Sequence, residues 1–457
     1  MAAFWPALFL PWLSPLQALG VTLLLLLMNL FLLPKILPGV YRAEAEGMGA
    51  LEVILYPVAL MACVVAYGST EANRAGLAWY MPVMAAWFAL AGIDACIGLG
   101  CRLLARGPLL PWNARKPVAG VLLGAALAAV PAYFLARWAL ANAFIPDGDA
   151  WQYRTPALAG VGILFLFAVL AETVWFGVAD NLIVPFTVCA AIPLFPNFLW
   201  PAPGGAILLG SEVWLHGHGF FILGIALGFG CLAWLARLLT LGGAALGALL
   251  AFLLMAVEPR LFHFLIGFFV LGNLATRFGL ARKQAKGIAE ARNGRRGAAE
   301  VFGAMGAAAW MTPLTHLAGL GIGPRGGLHP ALLVVIAPLI AKTMDTVSSE
   351  IGKAVGGVTI SLRSLRPVPA GSKGGVSLAG TLAGLLASAL ITAYAVYLGW
   401  GGWSAGASLL GIAIAANVFE SYWGEYASKY GLDRGPHTNI LMTVFAAVLA
   451  WLLFVNL

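Results

Sequence analysis

Two runs of this chain hold residues for which an apolar helix has no ordinary use. In KTMDTVSSEIGKAVGG, Lys342 to Gly357, an aspartate, two serines and a glutamate sit inside a hydrophobic stretch, and after a basic, proline-containing loop comes GSKGGVSLAG, Gly371 to Gly380. A charge placed in lipid is costly, so it either has partners or does chemistry. On a helix Asp345 shares a face with Ser349 and Gly352, whereas Glu350 is turned about 140° away. Asp345 and Ser349 could therefore hold one metal ion, with Gly352 admitting a ligand close to the backbone, while Glu350 needs a helix break or a separate job. Magnesium suits so sparse a donor set, because it binds through one or two carboxylates plus substrate phosphates. Lys373 adds a cation in a turn where Gly374 and Gly375 can offer backbone N–H groups as an anion nest. Ser377 stands near the start of the next apolar run, where a helix dipole favours phosphate. An acid for metal, a lysine loop for phosphates and apolar surroundings for a tail are the parts of phosphoryl transfer to or from a lipid. Asp345 or Glu350 could also act as base. The competing structural reading is a satisfied ion pair of Asp345 with Lys342 or Lys353.

The same order occurs earlier in the chain. Asp94 is followed at +8 by Arg102, as Asp345 is by Lys353; PWNARKPVAG with Lys116 comes next, then Glu172 and ADNLIVP with Asp180 and Asn181, against Lys373, Glu420 and Asn439. Lys116 and Asn181 lie 65 residues apart and Lys373 and Asn439 lie 66 apart. Two homologous halves are expected, 1–205 and 206–457, divided at the Pro- and Gly-rich stretch 196–219. A repeat alone does not select an enzyme, since membrane transporters are commonly duplicated.

Positioning these residues is the task of a membrane bundle. The 457 residues are 61% hydrophobic and 10% charged, far from the roughly 25% charge of a soluble domain. Apolar runs long enough for a bilayer lie near 17–33, 50–67, 76–100, 117–140, 156–177, 181–199, 219–239, 241–257, 261–276, 298–319, 328–350, 376–399, 404–424 and 438–456. The expected class is all-α, a polytopic integral membrane protein with roughly 14 transmembrane helices. The opening MAAFWPALFLPWLSPLQ reads as an interfacial stretch. Net charge is +8, concentrated in three loops: Arg102 to Lys116, Arg277 to Arg296, and Lys353 to Lys373. The positive-inside rule puts all three on the cytoplasmic side, and the middle one is expected to set topology and touch anionic lipid. Five cysteines without CxxC spacing support neither a disulfide framework nor a zinc site. His216 and His218 read as residues of a wet interfacial loop, His437 as an outer candidate for phosphate, and the tryptophans as interfacial anchors.

The second half, through ATRFGLARKQAKGIAEARNGRRGAAEVFG, DTVSSEIGK, RPVPAGSKGGVSLAGTLAG and PHTNILMTVF, closely resembles the integral-membrane family of domain of unknown function 92 that includes plant phytyl-phosphate kinase. The first half, through LPWNARKPVAG and VADNLIVPF, resembles the phytol and dolichol kinase family less closely. The resemblance implies a CTP phosphoryl donor with magnesium, an isoprenoid lipid substrate and no nucleic-acid partner. Carried over position by position, it implicates Asp345, Ser349, Glu350, Gly352, Lys373, Gly374, Gly375, Ser377, Gly380 and Asn439 in the second half. In the first half it implicates Asp94, Arg102, Asn113, Lys116, Gly120, Asp180 and Asn181, with Asp94 and Asp180 on metal. That half departs from its family at Ala95, Cys101 and Pro117, where glycine, glycine and a small hydroxyl residue are usual. It is expected either to have altered specificity or to have decayed into a scaffold. The resulting expectation is a fused CTP-dependent isoprenoid kinase of a bacterial-type inner membrane, its site facing the cytoplasm. The second half would make the isoprenyl diphosphate from the monophosphate and the first half would phosphorylate the alcohol. The alternatives are a cytidylyltransferase making a CDP-activated lipid and a transporter or flippase for a phosphorylated lipid.

Overall fold

The computed structural model describes residues 2–32, 80–142 apart from 112, 209–317, 330–429 and 437–454, with short pieces between 36 and 64 and between 165 and 188. The expected spans at 50–67, 156–177 and 181–199 lie wholly or largely outside these residues, as do Asp180 and Asn181. The chain divides into two compact units, 1–216 with 316–321, and 217–315 with 322–457.

In the first unit, a 3-10 helix Ala2–Trp12 precedes α1 (Pro15–Leu27). Proline occupies the first position of α1, and Ser14 and Gln17 form a reciprocal capping box. Helices α2 (Tyr80–Phe88) and α3 (Asp94–Leu103) are joined by a π-helical turn, Ala89–Ile93. A two-stranded antiparallel hairpin, β1 (Leu109–Leu110) and β2 (Asn113–Pro117), leads into α4 (Val118–Asn142). Gly100, Gly120 and Gly124 let α3 and α4 cross backbone against backbone.

The second unit runs α5 (Leu209–Leu235), α6 (Leu241–Val257), α7 (Leu261–Arg277), a short α8 (Leu280–Ala285) and α9 (Ala298–Leu317). The start of α5 falls among the unit-1 residues. His216 and His218 fall inside α5 rather than in a loop, because the helix begins seven residues before His216. There follow α10 (Pro330–Val355), a small antiparallel sheet in the order β4 (Pro367–Val368), β3 (Thr359–Ser361), β5 (Gly375–Ser377), then α11 (Leu378–Tyr397), α12 (Trp403–Lys429) and α13 (His437–Phe454). Among the described residues six helices are long and apolar enough to cross a membrane, and four more apolar helices are shorter.

Helix α10 is the axis of this unit. Its apolar window is 94% buried, against 39% for α11 and for α12. A helix apolar all round needs such enclosure. Proline starts it, Lys353 complements the dipole in its last turn, and Gly356 and Gly357 at φ +76° and +94° end it. Helix α11 crosses α10 at glycines. A Cβ on Gly380 would run into the Ser348 carbonyl, and one on Gly384 into Ser348 and the Met344 carbonyl. Such small residues are what allow close crossings in membranes. Gly380→Ala is therefore expected to destabilise the unit by about 1–3 kcal/mol through overpacking. Gly411→Ala, where nothing lies within 4 Å of the new methyl, is expected to be neutral. Thermal unfolding of both variants in detergent checks the pair.

Candidate functional site

At the C-terminal end of α10, the small sheet and the loop after α8 enclose a cavity of about 310 Å³, lined by five carboxylates and five lysines or arginines. Helix α10 is continuous through it, so Asp345 and Glu350 both line the cavity with no break in the helix between them.

Asp345 is 9% exposed. It accepts from Lys342 at 2.5 Å, and the same ammonium donates to Asn439 Oδ1 on α13 at 2.7 Å. The ion pair raised as the competing reading is thus present, and it also fixes Asn439 at the cavity. Ser349, one turn beyond Asp345, is exposed and donates to the Thr346 carbonyl at 3.1 Å. Gly352 lies against Ser377, whose Oγ would be 2.7 Å from an added Cβ. Its glycine serves the helix crossing at the mouth of the cavity. Ser377 caps α11 by accepting from Gly380 N–H at 3.3 Å.

Glu350 has the separate job its position required. It is 2% exposed, and both of its oxygens are engaged, Oε2 by Lys283 at 2.6 Å and Oε1 by Lys353 at 2.9 Å. Lys283 is wholly buried and also donates to the Thr276 and Ala275 carbonyls, at 2.7 and 3.2 Å. Those carbonyls belong to the last turn of α7, which lacks intrahelical donors. Lys353 bridges onward to Glu290 at 2.7 Å, giving a chain of alternating charge from the interior to the rim. Burial alone would raise the Glu290 carboxyl; the Lys353 ammonium overrides it and holds the group below the ordinary carboxylate value of 4.5. The depressed value means that this link is intact at neutral pH and is lost only as pH falls through it, below 4.5. With both oxygens engaged by ammonium groups, Glu350 has neither turned to a substrate proton, so it reads as a positioning residue.

Lys373 projects from the turn between β4 and β5 and lines the cavity. The turn is less of an anion nest than its glycines promised, because Ser372 N–H donates to Pro369 and Gly375 N–H donates to Ser372. Gly374, at φ +73°, is needed for another reason: a side chain there would strike the Ser421 carbonyl and Glu425 of α12. Glu420 and Asn417 of α12 face the same cavity.

The basic stretch between α7 and α9 contributes more than topology. Arg295, Arg296, Glu290 and Glu300 from it line the cavity, and Lys283 lies behind it. Their signal in sequence was a run of seven cations within twenty residues, which a lipid-facing loop explains equally well. The loop after α8 and the loop after α10 meet at one end of the unit, so two of the basic clusters share one site.

In the first unit the corresponding residues are arranged differently. Asp94 is exposed at the start of α3 and Arg102 is exposed in its last turn. Asn113 is buried and donates to the Thr173 carbonyl at 2.9 Å. Lys116 pairs with Glu172 at 2.5 Å and also contacts its carbonyl. Lys116 and Lys373 are not equivalent by position. Lys116 stands two residues before the first residue of α4, Lys373 five before the first of α11, and Asn113 is the residue five before α4. Lys116 falls within β2, whereas Lys373 falls in the turn before β5. Gly120 packs on Cys101 as Gly380 packs on Gly352, which aligns Asp94 with Asp345.

Among the described residues no group of three or more His, Cys, Asp and Glu could hold a metal. Asp345, Ser349 and Glu420 line the cavity without making a protein cage, a sparse donor set that suits a metal ion keeping other ligands of its own.

Residues 224–443 match the family of integral membrane proteins DUF92. The chain is 37% identical over 167 residues to protein VTE6, chloroplastic, of Arabidopsis thaliana, covering 35% of this chain and 49% of that protein. It is 41% identical over 122 residues to an uncharacterized membrane protein of Synechocystis, covering 27% and 45% of the two. It is 29% identical over 195 residues to an uncharacterized membrane protein of Methanocaldococcus jannaschii, covering 42% and 76%. The matches span about half the length of the first two relatives. No solved structure matches.

Proposed function

We propose that the region matching DUF92 is an isoprenoid-phosphate kinase that transfers the γ-phosphoryl group of CTP to phytyl or geranylgeranyl monophosphate. The observation that carries the reading is the cavity itself: cations from α10, from the stretch before α9 and from the turn between β4 and β5 converge around Asp345 at one end of an apolar bundle. The resemblance to the family that includes plant phytyl-phosphate kinase supplies the substrate class and the donor. In the step, an oxygen of the lipid phosphate bonds to the γ-phosphorus, the bond from that phosphorus to the β-bridging oxygen breaks, and CDP leaves. Lys373, Lys353 and Arg295 bring positive charge to the phosphates, and preorganised charge of this kind is the main catalytic lever in phosphoryl transfer. Asp345, fixed by Lys342, would hold magnesium with the nucleotide phosphates, and magnesium would supply further charge neutralisation there. The apolar helices around α10 exclude water from the transferring group.

The first unit fits either an isoprenoid alcohol kinase, which would make the chain a fusion of two salvage steps, or a scaffold. Roughly fourteen spans and a cytoplasmic site in an inner membrane complete the proposal, on the positive-inside bias of the three basic loops.

Purified protein is to be incubated with γ-labelled CTP, magnesium and either monophosphate. Label in the lipid diphosphate with release of CDP is expected, reduced about 10- to 100-fold in Lys373→Ala. Pyrophosphate and a CDP-lipid would mean cytidylyl transfer instead. No turnover of any nucleotide, with wild type and variant alike, overturns the enzyme reading. Free alcohol with Asp94→Ala and Lys116→Ala tests the first unit.

A further inference from the structure

Arg296 stands apart from the ion pairs of the cavity. Its backbone is pinned, with N–H donating to Leu238 at 3.0 Å and carbonyl accepting from Thr240 N–H at 2.9 Å. The side chain therefore enters the bundle from a fixed origin. Its guanidinium lies over the Phe268 ring, 5.7 Å from the centroid. It also lies against Gly272, where an added Cβ would stand 3.6 and 3.9 Å from the two terminal nitrogens. The wall behind it is thus an apolar stretch of α7. Glu290, Glu350, Asp345 and Glu300 all act on it through space, yet among the described residues its side chain makes no hydrogen bond or ion pair with any of them. It lines the cavity. A guanidinium carries five N–H donors and no acceptor, and this half-buried side chain turns them toward the cavity rather than to a protein acceptor. Burial pulls this group below its usual value, a penalty that a bound dianion removes.

We propose that Arg296 is the receptor for the phosphate of the lipid acceptor, and the residue by which this unit selects an isoprenyl monophosphate over the free alcohol. The planar fork matches two phosphate oxygens at once. Its place favours the acceptor over the nucleotide. Phe268 and Gly272 belong to an apolar helix, α7 (Leu261–Arg277), the side from which a lipid tail reaches the cavity. Lys373 approaches instead from the extramembrane turn on α12. An alcohol offers the guanidinium no charge and one acceptor atom, so it leaves most of the donors unmatched. In turnover this role rests on the phosphoryl-transfer reading; binding of the lipid phosphate does not.

The test uses the full chain in detergent micelles with geranylgeranyl monophosphate and geranylgeraniol as probes, and reads binding by calorimetry without nucleotide alongside steady-state kinetics. Arg296→Gln is expected to weaken monophosphate binding, and to raise its KM, by about 10- to 100-fold, the range for loss of a charge-assisted bidentate contact. The KM for CTP is expected to change by less than about 3-fold, and binding of the alcohol to stay unchanged. Arg296→Lys keeps the charge and loses the fork, and is expected to fall between; it carries the test if the glutamine variant does not fold. Unchanged monophosphate affinity in a folded variant overturns the inference, as does a loss confined to CTP. If the wild type turns over no nucleotide but binds the monophosphate through Arg296, the kinase reading fails and this inference stands.

Discussion

Asp345→Asn is expected to lower kcat/KM for phosphoryl transfer by at least about 10²–10³-fold, while the unfolding midpoint moves little. Asparagine keeps the size and one oxygen of the side chain, so Lys342 retains an acceptor there as well as Asn439 Oδ1, now at 2.7 Å. On the phosphoryl-transfer reading, what is lost is the negative charge that would stand beside the phosphates and the carboxylate on α10 that would meet a magnesium ion. The reading of Asp345 as a merely satisfied partner of Lys342 expects the reverse: unfolding would suffer and turnover would not. Lys342→Met separates the two further. It leaves a carboxylate that is 9% exposed without its cation, so it is expected to cost stability. Measuring kcat/KM and the unfolding midpoint on the same preparations decides between them.

How far the site could be read from residues alone depended on whether the signal was local. The Asp345, Ser349 and Gly352 face is a matter of helical period, and the place of Ser377 at the start of a helix follows from the apolar run after it; both hold in the structure, where Ser377 also caps that helix. The ionic chain behind them did not show. Lys283 and Glu350 are 67 residues apart, and nothing in a cluster of surface-type cations marks which one turns inward. The glycines of the lysine turn were legible as glycines but not for their purpose, since Gly374 answers to α12, a segment nearly fifty residues on. The expected repeat rests on the order of its acids and glycines, of which Gly120 on Cys101 and Gly380 on Gly352 make similar contacts. Its lysines are not equivalent, because Lys116 falls within a strand and Lys373 in a turn between two strands.

Lys283 and Glu350 make the strongest case for an effect on stability. Glu350→Ala is expected to destabilise the unit by about 3–5 kcal/mol, because it leaves a buried ammonium facing only two carbonyls. Lys283→Met is expected to cost less, since Lys353 still holds the other oxygen of Glu350 at 2.9 Å. The double variant Lys283→Met with Glu350→Leu is expected to recover much of the loss, as apolar replacements of a buried pair are often neutral or better. Unfolding titrations of the four proteins give the coupling directly. The same double variant tests what Glu350 does in catalysis. A general base contributes about 10²–10⁴-fold, so its removal would abolish measurable turnover even in a refolded background. A residue that only positions Lys353 loses less, since Glu290 holds that lysine from the other side at 2.7 Å. Turnover within about tenfold of wild type in the stable double variant is therefore the expected result. A loss beyond about 10²-fold would return Glu350 to the role of base.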